Sequence, residues 1–210
     1  MINDVLFKYA ELLDACKVAR LTGTRGAREI YELQIRDCEN SLKFLPESGS
    51  AIDVGTGGGL PGIVWAVYRP DLKITLLDSI AKKCDAIREI AESLEISNVE
   101  IICARSEDFA KVHREEFDFA AAKAVASAGV TAELLAPLVK VHGLLLTFKG
   151  EKVDSEIHEV GNNWHKLGVK APEINFYESN KCIVTWRKIM PCAKIFPRRA
   201  GLASSKKFWE

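Results

Sequence analysis

No stretch of these 210 residues stays apolar for the roughly 18–20 positions that a membrane-crossing helix requires. The opening segment, MINDVLFKYAELLDACKVAR, carries Asp4, Glu11 and Asp14 and lacks a small-residue cleavage site. That combination excludes a secretory signal and points to a cytoplasmic protein. Paired cysteines are missing too. Cys16, Cys38, Cys84, Cys103, Cys182 and Cys192 include no C-x-x-C pair, and His113, His142, His158 and His165 are equally dispersed. Reduced core thiols and no metal are the expectation. Repeats and low-complexity segments are absent, and so is net charge, which is zero.

The charge is nevertheless unevenly placed. Residues 186–210, WRKIMPCAKIFPRRAGLASSKKFWE, hold seven Lys or Arg and only Glu210, leaving 22 basic and 28 acidic groups in the rest. With Phe196, Phe208 and Trp209 interleaved, the tail has the composition of a polyanion contact, although a solvated terminus has it as well.

Val5, Leu6, Tyr9, Leu12, Leu13 and Cys16 recur at helical spacing, which predicts an amphipathic helix over 3–18. LTGTRGA breaks it, and a second helix is expected from about 27 to 45, ending near Pro46. The rhythm then alternates. Strands are expected at 51–55, 73–78, 99–104, 117–124 and 143–150. Helices are expected from near Leu60–Pro61, at 80–95, 107–113 and 130–140, and after 150 to about 167. Two further runs, 173–177 and 182–189, flank SNK as an antiparallel hairpin. Five β-α units followed by a hairpin predict a doubly wound α/β fold, a mostly parallel sheet with one reversed strand. The organisation expected is a helical cap over 1–48, a Rossmann-like domain over 49–190 and a basic tail over 191–210, forming one compact unit.

AIDVGTGGGLPG, residues 51–62, closes the first strand. Such a run lets a ligand approach the backbone, and its position at a strand's carboxyl end is where open α/β sheets bind nucleotides. Gly55-Thr56-Gly57-Gly58-Gly59 fits a G-x-G-x-G turn for S-adenosylmethionine. Starting at Gly57, the same run fits the dinucleotide G-x-G-x-x-G through Gly62. Asp78, ending the second strand, can accept both ribose hydroxyls of either cofactor, or simply cap the next helix.

Three features tilt the balance toward S-adenosylmethionine. Asp53, two residues before the glycines, can meet a cationic methionine moiety and would repel a pyrophosphate. Pro61 removes an amide from the incipient helix. Ser106-Glu107 follows the third strand, where a side chain can reach an adenine edge, although Glu107 also suits a helix's first turn. An NAD-dependent oxidoreductase stays open as the rival enzyme, though no Tyr-x-x-x-Lys pair supports it. A non-catalytic RNA-binding, ribosome-assembly protein and a small-molecule methyltransferase stay open as other classes.

DVGTGGGLPGI, ITLLDS…KK, ARSEDF, AKAVAS, LLTFKG and the terminal PRRAG…KK together resemble the bacterial family once called glucose-inhibited division protein B. The match covers roughly 20–150 and the tail. The resemblance implies a class I methyltransferase fold with a seven-stranded mixed sheet, an S-adenosylmethionine cofactor giving S-adenosylhomocysteine, and 16S ribosomal RNA or the small subunit as partner. It implies 7-methylguanosine as product, at guanine 527 of the 530 loop. We expect a monomer.

On matching positions it implies that Gly55, Leu60, Asp78, Ser106 and Glu107 line the cofactor site, beside the glycines Gly57 and Gly59 and Asp53. Lys123 stands where the family has arginine, and a lysine offers no planar fork. Arg25 is kept in RLTGTR, whereas Leu33-Gln34 replaces Arg-His, and Ala203 and Phe208 stand where prolines are expected. Arg25, Arg198, Arg199, Lys206 and Lys207 are the candidates for phosphate contacts. Guanine N7 carries a lone pair and no proton, so no general base is called for, and none is assigned. Lys123 is a candidate for positioning.

Overall fold

The structure is a computed structural model and describes residues 3–210. The chain divides into two compact units, Met1–Ala104 and Arg105–Glu210. This division does not follow the boundaries at 48 and 190: the N-terminal helices cluster with the first three strands, and the tail clusters with the last four. Together the strands form a seven-stranded mixed sheet in an α/β fold.

In the first unit, helix α1 (Asp4–Ala15) begins where the Asn3 side chain accepts the Leu6 amide, and it buries Leu6, Tyr9, Ala10 and Leu13. The expected second helix is interrupted. It runs as α2 (Ala27–Ile30), a π-helical turn (Tyr31–Ile35) and α3 (Arg36–Glu39), then a separate 3₁₀ turn (Leu42–Phe44). Strands β1 (Gly49–Val54), β2 (Leu72–Asp78) and β3 (Val99–Cys103) pair in parallel in the order 3-2-1. Helices α4 (Gly62–Tyr68) and α5 (Ala81–Ser93) connect them. Apolar runs make β1 and β2: Ala51, Ile52, Leu72, Ile74, Leu76 and Leu77 are all buried, as β-branched and aliphatic strands covered on both faces should be, whereas β3 at the sheet edge has no fully buried residue.

In the second unit, α6 (Ser106–Val112) precedes β4 (Phe117–Lys123), and α7 (Ala128–Leu135) precedes β5 (Val139–Lys149). After α8 (Val153–Val160) and a 3₁₀ turn (Asn163–Leu167) come β6 (Glu173–Glu178) and β7 (Lys181–Arg187). The order is 4-5-7-6, with β7 antiparallel to both neighbours. Two expected boundaries shift here. Helix α7 stops before Pro137, whose ring and missing amide end it, so the helix expected to 140 is shorter. β5 accordingly starts four residues early, and its register against β4 jumps between Phe117 and Phe119 near His142, which has φ 72°. A short α9 (Leu202–Ser205) lies in the tail.

Candidate cofactor and RNA sites

The glycine run folds as a turn held from several directions. Gly55, Gly57 and Gly59 have φ of 70°, 57° and 92°, a backbone region in which side chains are strained. Gly58 is required for a different reason: a Cβ there would stand 2.8 Å from the Leu21 carbonyl oxygen. The amides of Gly55 and Thr56 both donate to the Leu77 carbonyl, at 2.8 and 3.0 Å, anchoring the turn to β2.

Asp78, ending β2, is 7% exposed and grips the turn on both sides. Its Oδ2 accepts the Gly57 amide at 2.9 Å, and its Oδ1 accepts the Ile80 amide at 3.0 Å. Each carboxylate oxygen has about two acceptor positions, so one per oxygen remains for a diol.

Asp53 has a holding role in addition to the one expected. Its carboxylate is fully buried, and Oδ2 accepts the Thr56 hydroxyl at 2.6 Å and the Gly62 amide at 3.0 Å. Through Oδ2 the carboxylate fixes the loop and the start of α4. Pro61 is the cap residue there, one position before the helix proper, and Leu60 is buried.

Tyr9 was legible only as a core residue of an apolar helix face. Its hydroxyl, fully buried, donates to the Gly58 carbonyl, and burial pushes its pKa well above the ordinary phenol value. With Leu13 and Leu21 against Gly58, the N-terminal segment clamps the outside of the turn.

In the second unit, the side chains of Ser106 and Glu107 each make an internal hydrogen bond. Ser106 Oγ donates to the Leu134 carbonyl at 3.1 Å, and Glu107 Oε1 accepts the Gly201 amide at 2.8 Å. Arg198 is engaged internally as well. Its Nε and Nη2 form a two-pronged pair with Glu133 of α7, both at 2.6 Å, with side-chain exposures of 11% and 3%. Nη2 also donates to the Lys206 carbonyl at 2.7 Å. A guanidinium so committed anchors the tail and is not offered to a phosphate. Arg199 and Lys206 are exposed and Lys207 is half-buried, its ammonium 5.9 Å from the Trp209 ring centroid. Arg25, in the first unit, is exposed.

The chain matches the family model described as rRNA small subunit methyltransferase G over residues 2–185. It belongs to the GidB family.

Curated relatives named ribosomal RNA small subunit methyltransferase G agree with this. The Petrotoga mobilis protein is 37% identical over 96% of this chain and 92% of its own length. That of Alkaliphilus metalliredigens is 37% identical over 97% and 87%. Solved structures share the fold at low identity. A SAM-dependent methyltransferase from Aquifex aeolicus superposes with a TM-score of 0.60 at 18% identity, over 90% of this chain and all of that one. SMU.1697c from Streptococcus mutans, solved in complex with SAH, gives 0.54 at 20%, over 73% and 98%.

Two of the departures from the family pattern, Lys123 and Gln34, have defined surroundings. Lys123, ending β4, places its ammonium 5.5 Å from the Phe148 ring centroid, a cation–π arrangement in place of an arginine. It is followed by Ala124 at φ 57°. Gln34 sits in the π-helical turn and donates from Nε2 to Thr24 Oγ1 at 3.1 Å, steadying the loop that carries Arg25. Among the described residues, no three His, Cys, Asp or Glu side chains gather as a metal site, and no helix is long and apolar enough to cross a membrane.

Proposed function

We propose that this member of an rRNA methyltransferase family transfers the methyl group of S-adenosylmethionine to N7 of a guanine in 16S ribosomal RNA, at guanine 527 of the 530 loop. The observation that carries the cofactor choice is the Asp53 carboxylate on the Gly62 amide. A helix N-terminus that receives a pyrophosphate offers its amides to the anion. Here Pro61 has no amide and the Gly62 amide already belongs to a buried carboxylate. A dinucleotide would lose its phosphate seat and face a negative charge, which disfavours the oxidoreductase reading.

The first unit suits an adenosine with a diol and no phosphate. Asp78 keeps one acceptor position on each oxygen for the ribose hydroxyls, each such bond contributing about 1.5–3 kcal/mol. Gly55 and Gly57 are proposed to let the ligand approach the backbone, with Leu60 beside them, whereas the missing side chain of Gly59 makes room for Ile63, Tyr9 and Ile87. S-adenosylmethionine supplies an electrophilic methyl group on a sulfonium sulfur. Following the resemblance, Ser106, Glu107 and Lys123 are further cofactor-site residues. Because their side chains are engaged, Ser106 and Glu107 would act through the first-turn amides of α6, which have no intrahelical acceptor.

The N7 lone pair attacks in line and releases no proton, so the residues align the reactants and exclude water. Orientation of that kind supplies roughly 7–11 kcal/mol of a barrier. In A-form RNA the deep groove hides N7, so the substrate guanine is taken from a loop or splayed out. Arg25, Arg199, Lys206 and Lys207 are proposed to hold phosphates and Arg198 to hold the tail.

The deciding experiment is methyl transfer from labelled S-adenosylmethionine to unmodified small subunits, extracted 16S RNA and an unrelated structured RNA. Borohydride reduction and aniline cleavage then map the site. One strong stop at a loop guanine is expected. Cofactor binding with no labelled acceptor would overturn the substrate assignment and leave the cofactor assignment standing.

A further inference from the structure

Cys84 and Cys103 each adjoin Asp78. Cys103 is the last residue of β3 and lies in register with Asp78 on β2, on strands about 4.8 Å apart. Cys84 lies in the first turn of α5, where its thiol donates to the Asp78 carbonyl at 3.5 Å and contacts the Ile102 carbonyl at 3.8 Å. Ile102 is the residue before Cys103, so the Cys84 thiol faces the end of β3 that carries Cys103. Cys84 is buried and Cys103 exposed. Of the other four thiols, Cys38, Cys182 and Cys192 are buried and Cys16 is half-buried.

We propose that Cys84 and Cys103 are a reversible oxidation site, a dithiol that a hydroperoxide closes to a disulfide, and that closure lowers the affinity of the adjoining Asp78 site for its adenosine cofactor. The second half rests on the reading of Asp78 given above. The Cys84 thiol lies 3.5 Å from the carbonyl of Asp78, the register partner of Cys103, and 3.8 Å from that of Ile102, the residue before Cys103, which makes the two cysteines neighbours at one sheet end. Transient disulfides with a regulatory effect are the kind that cytosolic proteins hold.

The steps divide between the two cysteines by exposure. The exposed Cys103 sulfur attacks one peroxide oxygen and the O–O bond breaks. Cys103 becomes a sulfenic acid, and the other oxygen leaves as water with the thiol proton. Burial pushes the Cys84 thiol up to about 11, so it waits as the resolving partner. Its sulfur then attacks the Cys103 sulfur, the S–O bond breaks, and a second water leaves with the Cys84 proton. The pair has lost two electrons and two protons, and the peroxide has become two waters. A thiol reductant reverses the change by exchange.

Closure has a local cost to the site. The Cys84 S–H that donates to the Asp78 carbonyl is lost, and the first turn of α5 becomes pinned to the end of β3. Between those points lies the turn in which Asp78 Oδ1 accepts the Ile80 amide. The carboxylate that would hold the ribose is therefore drawn off its seat.

The test titrates the whole protein with hydrogen peroxide, maps disulfide-linked peptides by mass spectrometry, and measures S-adenosylmethionine binding by calorimetry. Reduced, oxidised and re-reduced samples are compared for wild type and Cys103→Ser. A Cys84–Cys103 link is expected before any other, with affinity lowered about fivefold, the scale of one lost hydrogen bond. Re-reduction should restore binding, and Cys103→Ser should bind like the reduced wild type and ignore peroxide. Failure of that link to form, a link that leaves affinity unchanged, or an equal loss in Cys103→Ser would each overturn the proposal. A reduced wild type that binds no cofactor would overturn the Asp78 reading and the effect on affinity, whereas the peptide map alone decides the dithiol.

Discussion

The Tyr9 hydroxyl donates to the Gly58 carbonyl across 49 residues of chain, so the N-terminal helix is a structural member of the glycine turn. Gly58 itself has no room for a side chain, because its Cβ would press on the Leu21 carbonyl. Tyr9→Phe should cost about 1 kcal/mol, the worth of one buried hydrogen bond, and weaken cofactor binding. Gly58→Ala should cost about 1–3 kcal/mol, because a backbone oxygen cannot rotate aside. Urea melts and calorimetry on both variants measure this. A Tyr9→Phe variant with unchanged binding would separate the clamp from the site.

Asp78→Ala should lower S-adenosylmethionine affinity roughly tenfold or more, through the lost acceptors and the released turn. Asp78→Asn keeps one acceptor oxygen and should fall between the two. If both variants bind as the wild type does, Asp78 holds only the turn.

Neighbouring arginines in the tail should behave in opposite ways. Arg198→Ala strands the Glu133 carboxylate, which is 3% exposed, and should destabilise the protein by about 3–5 kcal/mol. Arg199→Ala should leave stability within about 0.5 kcal/mol. It should weaken 16S RNA binding and reduce the salt dependence by about one counterion. Binding isotherms over a salt series, beside melts, distinguish them. A salt slope that Arg199→Ala leaves unchanged would remove Arg199 from the RNA contacts.

Alkaline stability should report two buried thiols. Burial raises Cys84 and Cys192 from 9.0 to about 11. A raised folded-state pKa means the folded protein holds the proton more tightly, so that stabilisation is complete below about 9 and is lost as pH rises toward about 11. Urea midpoints taken across that window should fall, and the fall should be smaller in Cys84→Ala or Cys192→Ala than in wild type.

Much of this was legible in the sequence, and what was not has identifiable causes. β1 and β2 were readable because runs such as ITLL are apolar enough to be buried on both faces, β3 because VEIIC is a short β-branched run although it lies at the sheet edge, and the turn after β1 because three glycines mark positive φ. The π-helical turn at Tyr31–Ile35 was not, since local periodicity does not distinguish i+4 from i+5 bonding. Asp53 announced its charge but not its partner: Gly62, nine residues on, was seen only as a glycine. Glu107 with Gly201 and Arg198 with Glu133 lie 94 and 65 residues apart. A basic tail therefore read as uniformly available when one of its arginines was already spoken for.

The Asp78 clamp on the Gly57 and Ile80 amides is made wholly by the chain's own groups. A seat set in advance gains affinity by sparing the ordering cost of binding, but it gives up a means of discrimination. Nothing in that grip senses whether the sulfur of its guest still carries a methyl group. Spent and fresh cofactor should therefore compete on nearly equal terms, and turnover should follow their ratio in the surrounding solution, read out as competitive product inhibition.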